Sequence, residues 1–310
     1  MTPRASTCLC AMIVVGLTAC SRQASLHAGD TSASPAPPGE ETIGLSISTL
    51  DNPYFVSLRD GARAEARAQG MQLITVDAQN DAARQISNVE DLIQRRVSVI
   101  LLNPTDSDAV ANVVREADAA GIRVISLDRA VNGATVSVQV ASNNVVGGEM
   151  AARFLLDRLG GKGNLVELVG IPGSSAARER GKGFDEAISA DPGVKLVARQ
   201  PANFDRAQGL AVMENILQRD RNIQGVFAQN DEMALGAATA IDEAGLKHVA
   251  IVGFDATPDG VAAVRDGQLA ATIQQKPELI GKLGVDAAKR LLQGKPVAAD
   301  IAVPLTLISR

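Results

Sequence analysis

Two stretches decide how this chain is read: ILLNPTDSDAVANV, Ile100–Val113, and VFAQNDEMALGAAT, Val226–Thr239. Each is an apolar run, then an Asn, then an acidic turn, then the start of a helical pattern. Asn103 and Asp128 are 25 positions apart, and so are Asn230 and Asp255. Asp128 closes the run ISLD and Asp255 closes VGFD, so the two halves match at an offset of 127. An offset near 127 also carries Asn52, after the first apolar run, close to Arg178, after LVELVG.

The surrounding pattern is regular from Thr42 onward. TIGLSIS, MQLITVDA, VSVILL and IRVISLD read as strands in the first half, and NLVELVG, VKLVARQ, QGVFAQ and HVAIVGFD in the second. Helical patterns lie between them; those of the second half begin near Ser175, Arg206, Glu232 and Pro258. Strands separated by helices of this length predict parallel sheets with helices on both faces, and near-continuous Val/Ile/Leu suits strands buried on both sides. The repeat predicts two similar α/β lobes with polar residues at the carboxyl ends of the strands. That edge is where open α/β sheets bind ligands, and two such edges facing each other form a cleft suited to a small molecule. Asp106 and Asp231 read as helix caps. Asn103, Asn230, Asp128 and Asp255, at strand ends, read as ligand contacts.

The N-terminus reads as an export signal. Arg4 precedes the apolar AMIVVGLTA, which is too short for a bilayer span of about 20 residues. It runs into LTAC, Leu17–Cys20, similar to the lipobox in which the Cys is lipidated. Residues 1–20 are thus expected to be a lipoprotein-type signal segment ending at Cys20, and residues 21–40, rich in Ser, Ala, Pro and Gly, a flexible tether. The expected location is outside the cytoplasm, in the periplasm or on the outer face of the cell membrane. All three Cys lie at or before Cys20, and the two His are His27 and His248. This leaves poor support for thiolate, zinc or Ser-His-Asp chemistry, and no cofactor or metal is called for. The net charge of −5 gives no reason to expect nucleic acid or an anionic membrane as partner.

Aromatic residues are scarce, with six Phe, one Tyr and no Trp. Tyr54, Phe55, Phe204 and Phe254 fall in loops at the predicted sheet edges. Flat rings can cover the C–H faces of a sugar, while its hydroxyl rim needs donors and acceptors. Asn52, Asn103, Asn230 and Gln275 offer both, Asp128 and Asp255 accept, and Arg129 and Arg178 donate. Two Asp and two Arg sum to zero charge, which favours a neutral polyol over a phosphate or carboxylate. GIPGSSAARERG leads from a strand into a helix but lacks the full phosphate-loop pattern.

These residues also carry a resemblance. STLDNPYFVSLRDGA, LLNPTDSDAV, SLDRA, SSAARERGKGF, PANFDRAQGL, FAQNDEMALGA, VGFDATPDG and LAATIQQKP resemble, in order, the ribose-binding periplasmic proteins. These are substrate-binding components of ABC importers of the pentose/hexose class, with the type I periplasmic binding protein fold. The resemblance implies two Rossmann-like lobes joined by three crossings. One would comprise 41–142 with 276–304, the other 143–275 with 305–310. It implies a site of Asn52, Tyr54, Phe55, Asn103, Asp128, Arg129, Arg178, Phe204, Asn230, Asp255 and Gln275 around β-D-ribopyranose, closure on the sugar, and docking on a membrane permease. Tyr54 departs from the pattern, since the best-known relatives have Phe there; its phenol adds a donor near the cleft.

Other readings stay open. A chemosensory receptor, or a binder of allose, another pentose or a furanose-like autoinducer, would use the same clamp, with a chemoreceptor as partner in the first case. A glycosidase would use Asp128 and Asp255 as paired carboxylates; an adjacent or opposing Arg at each is expected to keep both ionised and unfit as a general acid. A sugar-responsive repressor would need an N-terminal helix-turn-helix where this chain has an export signal.

Overall fold

The computed structural model describes residues 41–310. The expected signal segment, Cys20 and the tether lie outside the described residues. The first half runs β1 (Thr42–Ile47), α1 (Pro53–Ala68), β2 (Gln72–Asp77), α2 (Ala82–Gln94), β3 (Val99–Leu102), α3 (Ala111–Ala119), β4 (Arg123–Leu127) and β5 (Val138–Ala141). The second runs α4 (Asn144–Leu159), β6 (Gly163–Val169), α5 (Ser175–Ile188), β7 (Val194–Pro201), α6 (Arg206–Arg219), β8 (Gly225–Ala228), α7 (Asp231–Glu243), β9 (Ala250–Asp255), α8 (Pro258–Asp266) and β10 (Ala271–Gln274). The chain then returns through α9 (Pro277–Leu292), β11 (Asp300–Ala302) and β12 (Thr306–Ser309).

Two six-stranded sheets result, ordered β2-β1-β3-β4-β5-β11 and β7-β6-β8-β9-β10-β12. The expected pair of α/β lobes is therefore what the chain forms. Pairing is parallel except between β10 and β12. In each sheet the winding reverses beside the first strand, between β1 and β3 and between β6 and β8. Crevices at such reversals, outside the carboxyl ends of the strands, are where this architecture places ligands.

Each sheet is covered on both faces. In the first lobe Leu45, Leu58, Leu101 and Ile280 pack on the side of α1 and α9, and Leu92, Ile100, Val113 and Val124 on the side of α2 and α3. In the second, Met213, Val226, Met233 and Ile251 lie under α6 and α7, and Leu155, Phe184, Phe227 and Phe254 under α4 and α5. Burying each such side chain contributes about 1.5–3 kcal/mol before conformational entropy is counted.

One helix contact matters for the site. α4 and α5 cross through Gly148 and Gly183: a Cβ on Gly148 would overlap the Arg180 carbonyl oxygen, and one on Gly183 that of Val145. This close crossing sets Arg180 against the start of α4.

Candidate functional site

The carboxyl ends of both sheets face one small cavity. It is lined by Asn52, Tyr54, Phe55, Asp128 and Arg129 from the first lobe. Ala176, Arg180, Phe204, Asn230, Asp255 and Gln275 line it from the second. The charged members are almost wholly enclosed: Asp128 is 3%, Arg129 2%, Arg180 3% and Asp255 6% exposed.

The local backbone explains how the side chains are aimed. Asn52 caps α1, its side-chain oxygen accepting from the Tyr54 N–H at 2.9 Å, so the first turn delivers Tyr54 and Phe55 to the cleft. Asn230 caps α7 in the same way, accepting from Met233 N–H at 3.0 Å while its Nδ2 donates to the Phe204 carbonyl at 3.1 Å. Asp128 (φ +66°), Phe204 (φ +62°) and Asp255 (φ +110°) hold left-handed conformations that non-glycine residues rarely adopt. Such positions cost about 1–3 kcal/mol each and persist where the surroundings determine them.

Arg129 lies with its guanidinium carbon 5.0 Å from the Phe55 ring centre and 5.3 Å from that of Phe204. One Nη donates to the Pro104 carbonyl at 2.9 Å. Its Nε is 3.6 Å from Asp128 Oδ2, too far for a hydrogen bond, and is buried without a partner. Burial lowers the Arg129 pKa, and Asp128 opposes that shift. Arg180 stacks over Phe254 at 3.7 Å. It donates from Nε to Asn144 Oδ1 at 2.9 Å and from Nη1 to the Gln229 carbonyl at 2.6 Å. Its Nη1 also stands 3.8 Å from Asp255 Oδ1, which accepts from Gln275 Nε2 at 2.9 Å. Gln275 Oε1 is the second buried atom at the cavity without a partner.

Several expectations change. Arg178 is not in the cavity: 42% exposed, it pairs with Asp108 of the other lobe at 3.1 Å and donates to the Pro172 and Gly173 carbonyls. Two residues on, and about 200° around α5, Arg180 takes the inward position. Ala176, Arg180 and Phe184 recur at i, i+4 and are all buried, and that spacing is the signal that separates the two arginines. Asn103 lies one layer behind the cavity, accepting from Ser48 Oγ at 2.7 Å and donating to the Leu127 carbonyl at 3.1 Å. Phe254 belongs to the second lobe's core and touches the site only through Arg180.

Asp106 accepts from the Asp108 and Ala109 N–H groups as a turn cap. Asp231 does not cap α7, since Asn230 does. It is buried, accepts from Thr257 and Thr272, and burial pushes it up to about 6. The expectation that Arg holds Asp255 ionised is also corrected. Burial raises Asp255 well above the usual carboxylate range, and Arg180 opposes that shift without reversing it. Asn144 escaped the sequence reading altogether, because it anchors the site's arginine from outside the cavity.

At the mouth of the cleft the lobes meet through hydrogen bonds. Ser107 N–H donates to the Gly173 carbonyl at 2.9 Å. Ser175 N–H donates to Ser107 Oγ at 3.0 Å, and Ala130 N–H to Ser175 Oγ at 2.8 Å.

The sequence pattern of the periplasmic binding protein domain family matches residues 43–296. The chain belongs to the periplasmic binding protein family. It is 52% identical over 268 residues to the ribose import binding protein of Bacillus subtilis (strain 168), covering 86% of this chain and 87% of that one. It is 49% identical over 269 residues to the ribose import binding protein of Escherichia coli (strain K12), covering 87% and 90%. Among solved structures, it is similar to an ABC transporter periplasmic solute binding protein of Actinobacillus succinogenes with bound D-allose. That TM-score is 0.82 at 32% identity, covering 87% of this chain and 98% of the other. The arabinose ABC transporter binding protein of Shewanella sp. ANA-3, bound to L-arabinofuranose, gives 0.83 at 32% identity, covering 86% and 91%.

Two measurements test this geometry. Arg180→Ala strips Asp255, Asn144 and the Gln229 carbonyl of a buried partner and is expected to lower unfolding free energy by about 3–5 kcal/mol. Arg178→Ala, at an exposed pair, is expected to cost about 0–1 kcal/mol. Equal losses in denaturant unfolding would contradict the assignment.

The second test uses Tyr54. Burial first, then the charges of Asp128 and Asp255, raise its phenol well above the usual 10. With the folded pKa above the unfolded one, its stabilising contribution is complete below pH 10 and is lost as pH climbs through the raised value. The chain has one Tyr and no Trp, so near-ultraviolet phenolate absorbance reads this residue alone. On alkaline titration the band is expected only together with loss of the folded circular dichroism signal. A phenolate midpoint near pH 10 in folded protein would contradict the burial.

Proposed function

We propose that this chain is the extracytoplasmic solute-binding component of an ABC sugar importer and that it closes on one neutral monosaccharide, D-ribose. The observation that carries the reading is the pair of partnerless buried atoms at the cavity, Arg129 Nε and Gln275 Oε1. One donates and the other accepts, and hydroxyls satisfy both kinds. Phe55 and Phe204, one from each lobe, provide apolar faces for the C–H surfaces of a sugar ring. Ribose is favoured among sugars because the relatives near half identity are ribose import binding proteins.

The lobes in this reading divide at 142/143, 275/276 and 304/305, and the three crossings serve as the hinge. A ligand can shift an open–closed equilibrium only through its difference in affinity for the two forms, so a site built from both lobes is what closure requires. The closed form then docks on a membrane permease. The role is binding without turnover. Cys20 is lipidated, holding the protein at the membrane; fatty-acid labelling that survives Cys20→Ser would contradict this.

Calorimetric titration with ribose, allose, xylose, galactose and arabinose tests the specificity. Ribose is expected to bind tightest. Arg129→Ala is expected to weaken it by about ten- to a hundredfold, the range of a hydrogen bond to a charged group at about 1.5–3 kcal/mol. Tight binding of a different pentose with ribose inert would overturn the specificity and leave the clamp standing.

A further inference from the structure

Tyr54 does something the other rings at the cavity cannot. It is 4% exposed, meets Phe55 edge to face at 5.1 Å and 87°, and donates its hydroxyl to Asp128 Oδ1 at 2.6 Å. Phe55 and Phe204 have no polar atom. The added donor expected from the sequence is therefore already engaged inside the protein.

An ionised carboxylate only accepts. Each acceptor site of Asp128 that the protein fills is one that a ligand hydroxyl need not fill. Its Oδ2 is approached by Asn103 Nδ2 at 3.4 Å and by Arg129 Nε at 3.6 Å, both from the same lobe. Asp128 thus has protein groups at both oxygens. Its counterpart Asp255 is served differently: Gln275 at 2.9 Å and Arg180 at 3.8 Å both reach Oδ1.

We propose that the Tyr54 hydroxyl stands in for a ligand hydroxyl at Asp128, so that the site tolerates monosaccharides lacking the hydroxyl that faces this carboxylate. The inference rests on the sugar-binding reading above and deepens it by naming the ligands admitted: pentoses, and deoxy-pentoses missing that one group. A site that depends on a ligand hydroxyl rejects the analogue without it because a buried polar group is left unpaired. With Tyr54 in place, Asp128 Oδ1 stays paired whichever ligand enters. Burial keeps the phenol protonated across the physiological range, so the donor is always present. Tyr54→Phe removes it and makes the pairing of Asp128 depend on the ligand.

The test is calorimetric titration of the full chain and of Tyr54→Phe with D-ribose and each of its monodeoxy pyranose analogues. In the unaltered protein at least one analogue is expected to bind within about tenfold of ribose. In Tyr54→Phe that same analogue is expected to fall behind ribose by about a further tenfold or more. A role for Tyr54 in packing alone would weaken all ligands together and leave the ratios unchanged; unchanged ratios with ribose still bound overturn the proposal and leave the sugar reading intact. The unaltered protein supplies an arm that needs no variant: losses above about a hundredfold for every analogue also overturn it. Failure of ribose and all analogues to bind the unaltered protein overturns the sugar reading, and this inference with it.

Discussion

Asp128, Arg129, Arg180 and Asp255 are held between two lobes, each at 6% exposure or less. Taking a charge out of water costs several kcal/mol unless it gains partners of good geometry. The rest of the structure can be understood as meeting that demand. The guanidinium groups lie against rings, Arg129 by Phe55 and Phe204 and Arg180 by Phe254, as suits their weak hydration and planar shape. Carbonyls of Pro104 and Gln229 accept from them. Left-handed turns at Asp128 and Asp255 bring the carboxylates to the ends of their strands. Among the described residues that line the cavity, what stays buried and unpaired is one donor and one acceptor, the two halves of what a hydroxyl offers.

The same constraint links binding to closure. Each lobe presents one Asp and one Arg with hydrogen-bond partners of its own; what the meeting of the sheet edges adds is enclosure, with the Phe204 ring crossing to Arg129. The contacts at the mouth, Ser107 with Gly173 and Ser175 and Arg178 with Asp108, also exist only in the closed arrangement. They favour it whatever the ligand. The Arg178–Asp108 pair is exposed and contributes little, whereas the Ser107–Ser175 hydrogen bond is buried.

Much of this was legible in the sequence, for reasons that particular residues show. The matched spacing of Asn103 to Asp128 and Asn230 to Asp255 encodes the twin lobes, because strand and helix lengths repeat. Long buried strands such as β1 and β9 announce themselves by continuous apolar runs. β5, β11 and β12, of three or four residues, are too short to show a period. α4 and α9 are obscured by Gly147, Gly148, Gly281 and Gly284, residues that read as breakers but serve close packing of helices and core. The choice of Arg180 over Arg178 depends on helix phase, which a match of motifs leaves undecided by two residues. Asn103 reads as a ligand contact and Asn144 does not stand out, because residues that hold other residues have the same composition as residues that hold ligands. The raised Asp255 shows the limit of pairing arguments: an opposing Arg was expected from the sequence, whereas the depth of burial that outweighs Arg180 was not.

The account stands or falls on whether both lobes grip one uncharged sugar. A crystal structure of the protein with D-ribose measures this directly. The account predicts one ring between Phe55 and Phe204, with hydroxyls within hydrogen-bond distance of both Arg129 Nε and Gln275 Oε1. A sugar bound to one lobe only, or outside the cleft with those two atoms still unpartnered, would contradict it.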